Sequence, residues 1–188
     1  MKCFAILILS LLTILSASYF GYKEFTQSYH IHSDFVLFID GTQFNFTQPE
    51  YMTSTDICAT DYTSKHTHLH DANGSVIHIH KKEQTVGDFF KSIGFALTDD
   101  SLTVNTQVVY KNNTNKKWQF FINGMATSSL QDYPFTDLDQ ILLSYGNPKT
   151  TDISTELTKM THTACVYSEK CPKPVDMVLP IERCGSDE

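Results

Sequence analysis

The 188-residue chain is long enough for one domain with a real core, plus a leader and a tail. A formal charge of -7 and a pI near 5.5, without a single lysine- or arginine-rich run, exclude a surface built to bind nucleic acid. With 41% hydrophobic and 19% charged residues the composition excludes a disordered chain, and the anomaly is histidine: eight residues, seven of them in the groups His30/His32, His66/His68/His70 and His78/His80.

Lys2, the apolar stretch from Phe4 to Leu15 and the small residues Ser16-Ala17-Ser18 form the pattern of a secretory signal, with cleavage expected after Ala17 or Ser18. The same segment, retained from Phe4 to Tyr22, is about the length of one membrane-anchoring helix. Residues 1–22 are therefore read as a signal peptide or an N-terminal anchor. Either way the remainder is expected outside the cytoplasm, secreted or held at the membrane through residues 4–22.

The body of the chain, residues 28–146, reads as one α+β domain. Phe35-Val36-Leu37-Phe38-Ile39, the turn pair Asp40-Gly41 and Thr42-Gln43-Phe44-Asn45-Phe46 predict a hairpin that pairs Ile39 with Thr42 and Leu37 with Phe44. The odd positions of its first strand then face the core, and His30, His32 and Asp34 face the other way. Residues 47–64 are polar and turn-like and carry Cys58. The segment from His66 to His80 predicts a second hairpin.

Thr85, with Asp88 three residues on and Gly94 downstream, brackets a short helix whose stripe Val86, Phe89, Phe90 and Ile93 faces the core. Leu102 to Tyr110 is expected as one strand. Trp118 to Ile122 leads into the turn pair Asn123-Gly124, and Ile141 to Tyr145 reads as a buried strand. This order predicts a mostly antiparallel sheet of hairpins with one short packed helix, in a β-grasp-like layout. Leu138 to Leu143 resembles the last strand of ubiquitin-like and sulfur-carrier folds, without the Gly-Gly terminus those carriers use.

From Asn147 to Glu188 the chain is expected as an extended tail. Pro172, Pro174 and Pro180 oppose regular structure there, and a covalent staple would order it. Beyond Cys3 the cysteines are Cys58, Cys165, Cys171 and Cys184, an even number in an exported domain, which points to disulfides with the pairing left open.

Histidines carry the candidate chemistry. Residues two apart on a strand share a face, so each His-x-His pair can grip one ion. With Asn73-Gly74 closing as a two-residue loop, the histidines of the two strands would face opposite sides. With a three-residue loop, Ala72-Asn73-Gly74, His68 pairs with His78 and His66 with His80, and Leu69, Ile77 and Ile79 share the other face. That register separates polar from apolar side chains, which a buried face enforces. The reading is a divalent transition-metal site, Cu or Zn, drawn from His66, His68, His70, His78 and His80, joined by His30 and His32, with Asp34 and Asp71 as orienting carboxylates. Crowded imidazoles repel one another when protonated, whereas a metal binds them neutral.

For an enzyme the signals are thin. His66-Thr67-His68-Leu69-His70-Asp71 resembles the His-x-His-x-Asp-His signature of metallo-β-lactamase-like hydrolases with its last two residues reversed, and no nucleophile elbow, phosphate loop or zincin motif occurs. No catalytic residue is assigned. A zinc-dependent hydrolase and a pH-responsive surface interaction module are the alternative functions, and the protein partner is left unknown.

Over residues 30–184 the chain resembles an uncharacterised family of exported, His-rich proteins from archaea and small-genome bacteria. The likeness lies in His30-x-His32-x-Asp34-Phe35, His68-Leu69-His70-Asp71 with its Asn73-Gly74 turn, Gly87-Asp88-Phe89-Phe90, and Cys165-Val166-Tyr167-Ser168-Glu169-Lys170-Cys171-Pro172. It implies a secreted or membrane-linked prokaryotic protein and brings no activity with it.

Overall fold

A computed structural model describes residue 16 and residues 29–53 and 66–177, so all of the leader but Ser16, together with Cys58 and Cys184, lies outside the described residues. Among these, no helix is long and apolar enough to cross a membrane.

The fold is α+β and mostly sheet. Its strands are β1 (Ile31–Ile39), β2 (Thr42–Gln43), β3 (Thr67–His68), β4 (Val76–Ile79), β5 (Ala96–Leu97), β6 (Ser101–Val104), β7 (Val108–Lys111), β8 (Lys117–Ile122), β9 (Met125–Thr127) and β10 (Gln140–Gly146). Its helices are α1 (Val86–Ser92), α2 (Ile153–Leu157) and α3 (Ala164–Tyr167). The main sheet runs β3-β4-β1-β10-β8-β9, with β2 paired to β1, and β5-β6-β7 form a smaller sheet. β1 and β10 pair in parallel at the centre, Phe35 beside Ile141 and Leu37 beside Leu143, while the other strand pairs are antiparallel.

Local chemistry explains the first turn and the helix. Asp40 and Gly41 both take positive φ, 51° and 75°, the two-residue turn whose twist suits a hairpin, and Ile39 pairs with Thr42. The Thr85 hydroxyl accepts from the Asp88 amide while the Asp88 carboxylate accepts from the Thr85 amide, a reciprocal cap that starts α1. Val86, Phe89, Phe90 and Ile93 then bury against Phe35, Leu37, Leu69, Ile77 and Ile79.

Two expectations are revised. Leu102 to Tyr110 is a hairpin rather than one strand, because Asn105 and Thr106 turn with φ of 48° and 59°. No glycine marks that turn; the asparagine tolerates the left-handed conformation. The tail is not extended throughout. Helices α2 and α3 lie over the even-numbered face of β1, where Val36, Phe38, Leu142 and Met160 form a second core with Ile153 and Leu157 against it. β1 is therefore covered on both faces, in keeping with its unbroken Phe-Val-Leu-Phe-Ile run.

Asp34 joins the tail to the sheet. Its buried carboxylate accepts from the Thr161 hydroxyl and from the amides of Thr163, at 3.0 Å, and Ala164, at 3.2 Å, holding the start of α3. An Asp34→Ala change orphans these donors and should cost about 2–4 kcal/mol. Urea unfolding measures the loss, and hydrogen exchange should show residues 161–168 deprotected first.

Glu156, on α2, is only 4% exposed. Burial pushes its carboxyl above the ordinary 4.5, with Asp152 adding repulsion and Ser144 partly offsetting it. The folded state thus holds this proton more tightly than the unfolded chain. Its ionisation adds no penalty well below pH 4.5 and destabilises the fold as pH rises from there through the folded value. Glu156→Gln should remove that decline and raise stability at pH 7 by about 1 kcal/mol, read from thermal unfolding at pH 4 and pH 7.

Candidate metal centre

Three adjacent strands bring the histidines together. The β3–β4 register sets His68 opposite His78 and Thr67 opposite Ile79, and the His80 amide donates to the His66 carbonyl at 2.8 Å. This register puts Leu69, Ile77 and Ile79 in the core and the imidazoles on the other face. β1 then pairs with β4 so that His32 lies opposite His78 and Ile31 opposite Ile79. The result is a row His32–His78–His68 across three strands, with His30 and His80 beside it.

The chain reverses differently from the expected three-residue loop. Asp71 and Ala72 carry the positive φ values, 58° and 54°, and the Asn73 amide donates to the His70 carbonyl at 3.1 Å. Gly74 has another task. A Cβ there would stand 2.7 Å from the Phe46 carbonyl carbon and 2.8 Å from the Thr47 amide nitrogen, so only hydrogen allows this loop to pass the first hairpin.

The rings form one contiguous cluster. Ring centroids are 4.3 Å apart for His30–His32 and for His30–His80, 4.6 Å for His32–His78, 4.9 Å for His68–His80 and 3.8 Å for His70–His78. His32, His68, His70, His78 and His80 are buried and His30 is half-buried. Within the cluster His30, His32 and His78 each offer a ring nitrogen, all within 4.8 Å of one another, a set that could hold a metal ion. Nitrogens bound to one zinc at about 2.0 Å lie roughly 3.3 Å apart, so binding an ion would draw the three closer together. Three neutral imidazoles suit zinc or copper in donor chemistry.

The other expected site residues are distributed around it. His68, His70 and His80 continue the ring contacts on the β3–β4 side, and His66 sits just before β3. The Asp71 carboxylate pairs with His70 Nδ1 and so can orient that ring. Asp34 shares the histidine face of β1, but its carboxylate is spent on the tail at Thr161, Thr163 and Ala164 rather than on an imidazole. His162 lies apart, with Nδ1 at 2.7 Å from Gln140 Nε2. Of the cysteines, Cys165 and Cys171 are joined in a disulfide, while Cys58 and Cys184 lie outside the described residues.

Four residues that sequence reasoning left out complete the surroundings. Ser168 Oγ lies 2.8 Å from His32 Nδ1 and donates to Asp137 Oδ1 at 2.6 Å, and Lys170 donates to the other Asp137 oxygen. The His32 amide also donates to Asp137 Oδ1, at 3.1 Å. Burial would raise the Asp137 carboxyl, but hydrogen bonds from Lys170, Ser168 and the His32 amide outweigh it and hold the group below the usual carboxylate range. The Tyr167 ring stands edge-on to His78, with centroids 4.9 Å apart, and its hydroxyl accepts from Asn73 Nδ2 at 3.2 Å. Tyr167, Ser168 and Lys170 all fall within the Cys165–Cys171 interval, a local signal that reads only as a staple; Asp137 carries no sequence signal.

No family model, no curated protein and no solved structure matches the chain.

Gly74→Ala should destabilise the fold by about 1–3 kcal/mol, since the contact it creates is with backbone that has little room to move. Thermal unfolding checks the loss, and chemical shifts of the His68 and His78 rings should move with it because the loop joins β3 to β4.

Proposed function

We propose that this protein binds a divalent transition metal, copper or zinc, through histidines gathered on one sheet face, outside the cytoplasm. The observation that carries the reading is the convergence of His30, His32 and His78 from two adjacent strands, with ring nitrogens within 4.8 Å of one another. These three residues would hold the ion, and His68, His70 and His80 extend the donor set on the far side of His78. A bound divalent ion supplies positive charge that neutral imidazoles satisfy without repelling one another.

The setting fits capture, buffering or delivery of metal. The apolar leader and the Cys165–Cys171 disulfide both support an exported protein, since disulfides persist in oxidising compartments. The layout is β-grasp-like: a parallel central pair, β1 and β10, flanked by β4 on one side and by β8 and β9 on the other, with α1 following β4, supports that reading.

Elemental analysis of the full chain, purified without a His-tag, should find about one equivalent of zinc or copper. Changing His32 and His78 together to alanine should abolish it while leaving the disulfide and circular dichroism unchanged. Undiminished stoichiometry in that double variant would falsify the site.

A further inference from the structure

We propose that the disulfide-closed loop 165–171 is a working part of the histidine centre: Ser168, held by Asp137, positions His32, and opening the Cys165–Cys171 bond releases that hold and weakens metal binding. The inference rests on the metal-binding reading above and adds to it a positioning device and its redox control.

Proton accounting sets the direction of each bond. Ser168 has one hydroxyl hydrogen. Asp137 is an ionised carboxylate that only accepts, and at 2.6 Å it takes that hydrogen. The 2.8 Å contact between Ser168 Oγ and His32 Nδ1 is therefore donated by the imidazole. His32 is fixed as the Nδ1–H tautomer, with its lone pair on Nε2 and its ring rotation locked. The same Asp137 oxygen accepts the His32 amide, so one carboxylate sets both the backbone and the side chain of this ligand. Partners of this kind orient metal-binding imidazoles and raise their basicity.

The loop that carries Ser168 has little order of its own. α3 is four residues long, too short to be stable in isolation. Its upstream end is held by Asp34, through the Thr163 and Ala164 amides. Downstream, the amides of Lys170 and Cys171 both return to the Cys165 carbonyl, at 2.8 and 3.0 Å, and the disulfide closes that turn covalently. Tyr167 and Ser168 lie inside the closed interval, against His78 and His32. Without the covalent link, residues 165–171 must be ordered at full conformational cost, while Thr161 to Ala164 remain tied to Asp34.

A dithiol reductant suffices to open the latch. Its first thiolate attacks one cysteine sulfur, breaking the Cys165–Cys171 bond and forming a mixed disulfide; its second thiolate displaces the other cysteine. Two electrons and two protons pass to the protein, both cysteines end as thiols, and the reductant leaves as a disulfide.

The test compares full-length wild type, Ser168→Ala, Ser168→Thr and a Cys165→Ala/Cys171→Ala double variant. Replacing these two cysteines leaves Cys3, Cys58 and Cys184 untouched. Long-range 1H–15N spectra of the metal-free proteins report the His32 tautomer, and competition with a chromophoric chelator reports zinc affinity. Wild type should show His32 protonated at Nδ1. Ser168→Ala should lose that signature and about 10- to 100-fold in zinc affinity, with Ser168→Thr restoring both. The double cysteine variant should lose affinity to a similar extent. Should it fail to fold, wild type reduced with a dithiol, alkylated and freed of the reagents gives the same readout for the opened loop, and unchanged zinc affinity there overturns the redox claim. Persistence of the Nδ1–H form in Ser168→Ala, or wild-type zinc affinity in the variants, overturns the inference alone. Absence of zinc binding in the wild type overturns the metal reading and this inference with it.

Discussion

The two-residue alternation of β1 governs the molecule. Its odd side chains, Phe35 and Leu37, pack with α1 into the larger core, and its even side chains must find a second cover. Along that even face the strand reads His30, His32, Asp34, Val36, Phe38. The tail covers it in matching order: Ile153, Leu157 and Met160 over the apolar end, Thr161 to Ala164 on Asp34, and Tyr167 and Ser168 against the histidines. One strand therefore carries a core contact, a polar anchor and a candidate metal ligand on the same side. Its partner across the sheet, β10, has little choice but to be apolar on both faces, and six of its seven residues are buried.

This arrangement makes the histidine centre an interior one. Five imidazoles are buried on a face that, in a simple two-layer domain, would meet water. Burying polar rings is costly without partners, so such a cluster persists only if its nitrogens are used. Asp71 serves His70 and the Ser168–Asp137 pair serves His32. The converging nitrogens of His30, His32 and His78 are the part of the cluster whose geometry suits a cation.

Much of the local structure was legible because it rests on neighbours in the chain. Asp40-Gly41 and Asn123-Gly124 are turn pairs that adopt positive φ at little cost, and both are where the chain turns. Thr85 and Asp88 satisfy each other's amides within one helical turn. The hairpin at Asn105-Thr106 was not legible, since nothing in those two residues demands a reversal. Nor was the turn at Asp71-Ala72. The separation of Leu69, Ile77 and Ile79 from the histidines predicts the register of β3 against β4, while the way the loop closes depends on room beside Phe46 that only the folded chain defines.

The sequence by itself determined which side chains could share a face, because alternation along a strand is a property of the extended backbone. It therefore named the histidines, the apolar face opposite them and the cysteines of the tail. Tertiary structure alone decided which strands lie side by side and what covers them. The pairing of β1 with β4 sets His32 against His78, and the return of residues 147–177 over β1 brings Ser168, Tyr167 and the Asp137–Lys170 pair to the cluster. The contacts of His32 with Asp137 and Ser168 join residues more than 100 positions apart, a separation at which no periodicity in the chain records which partner will be met.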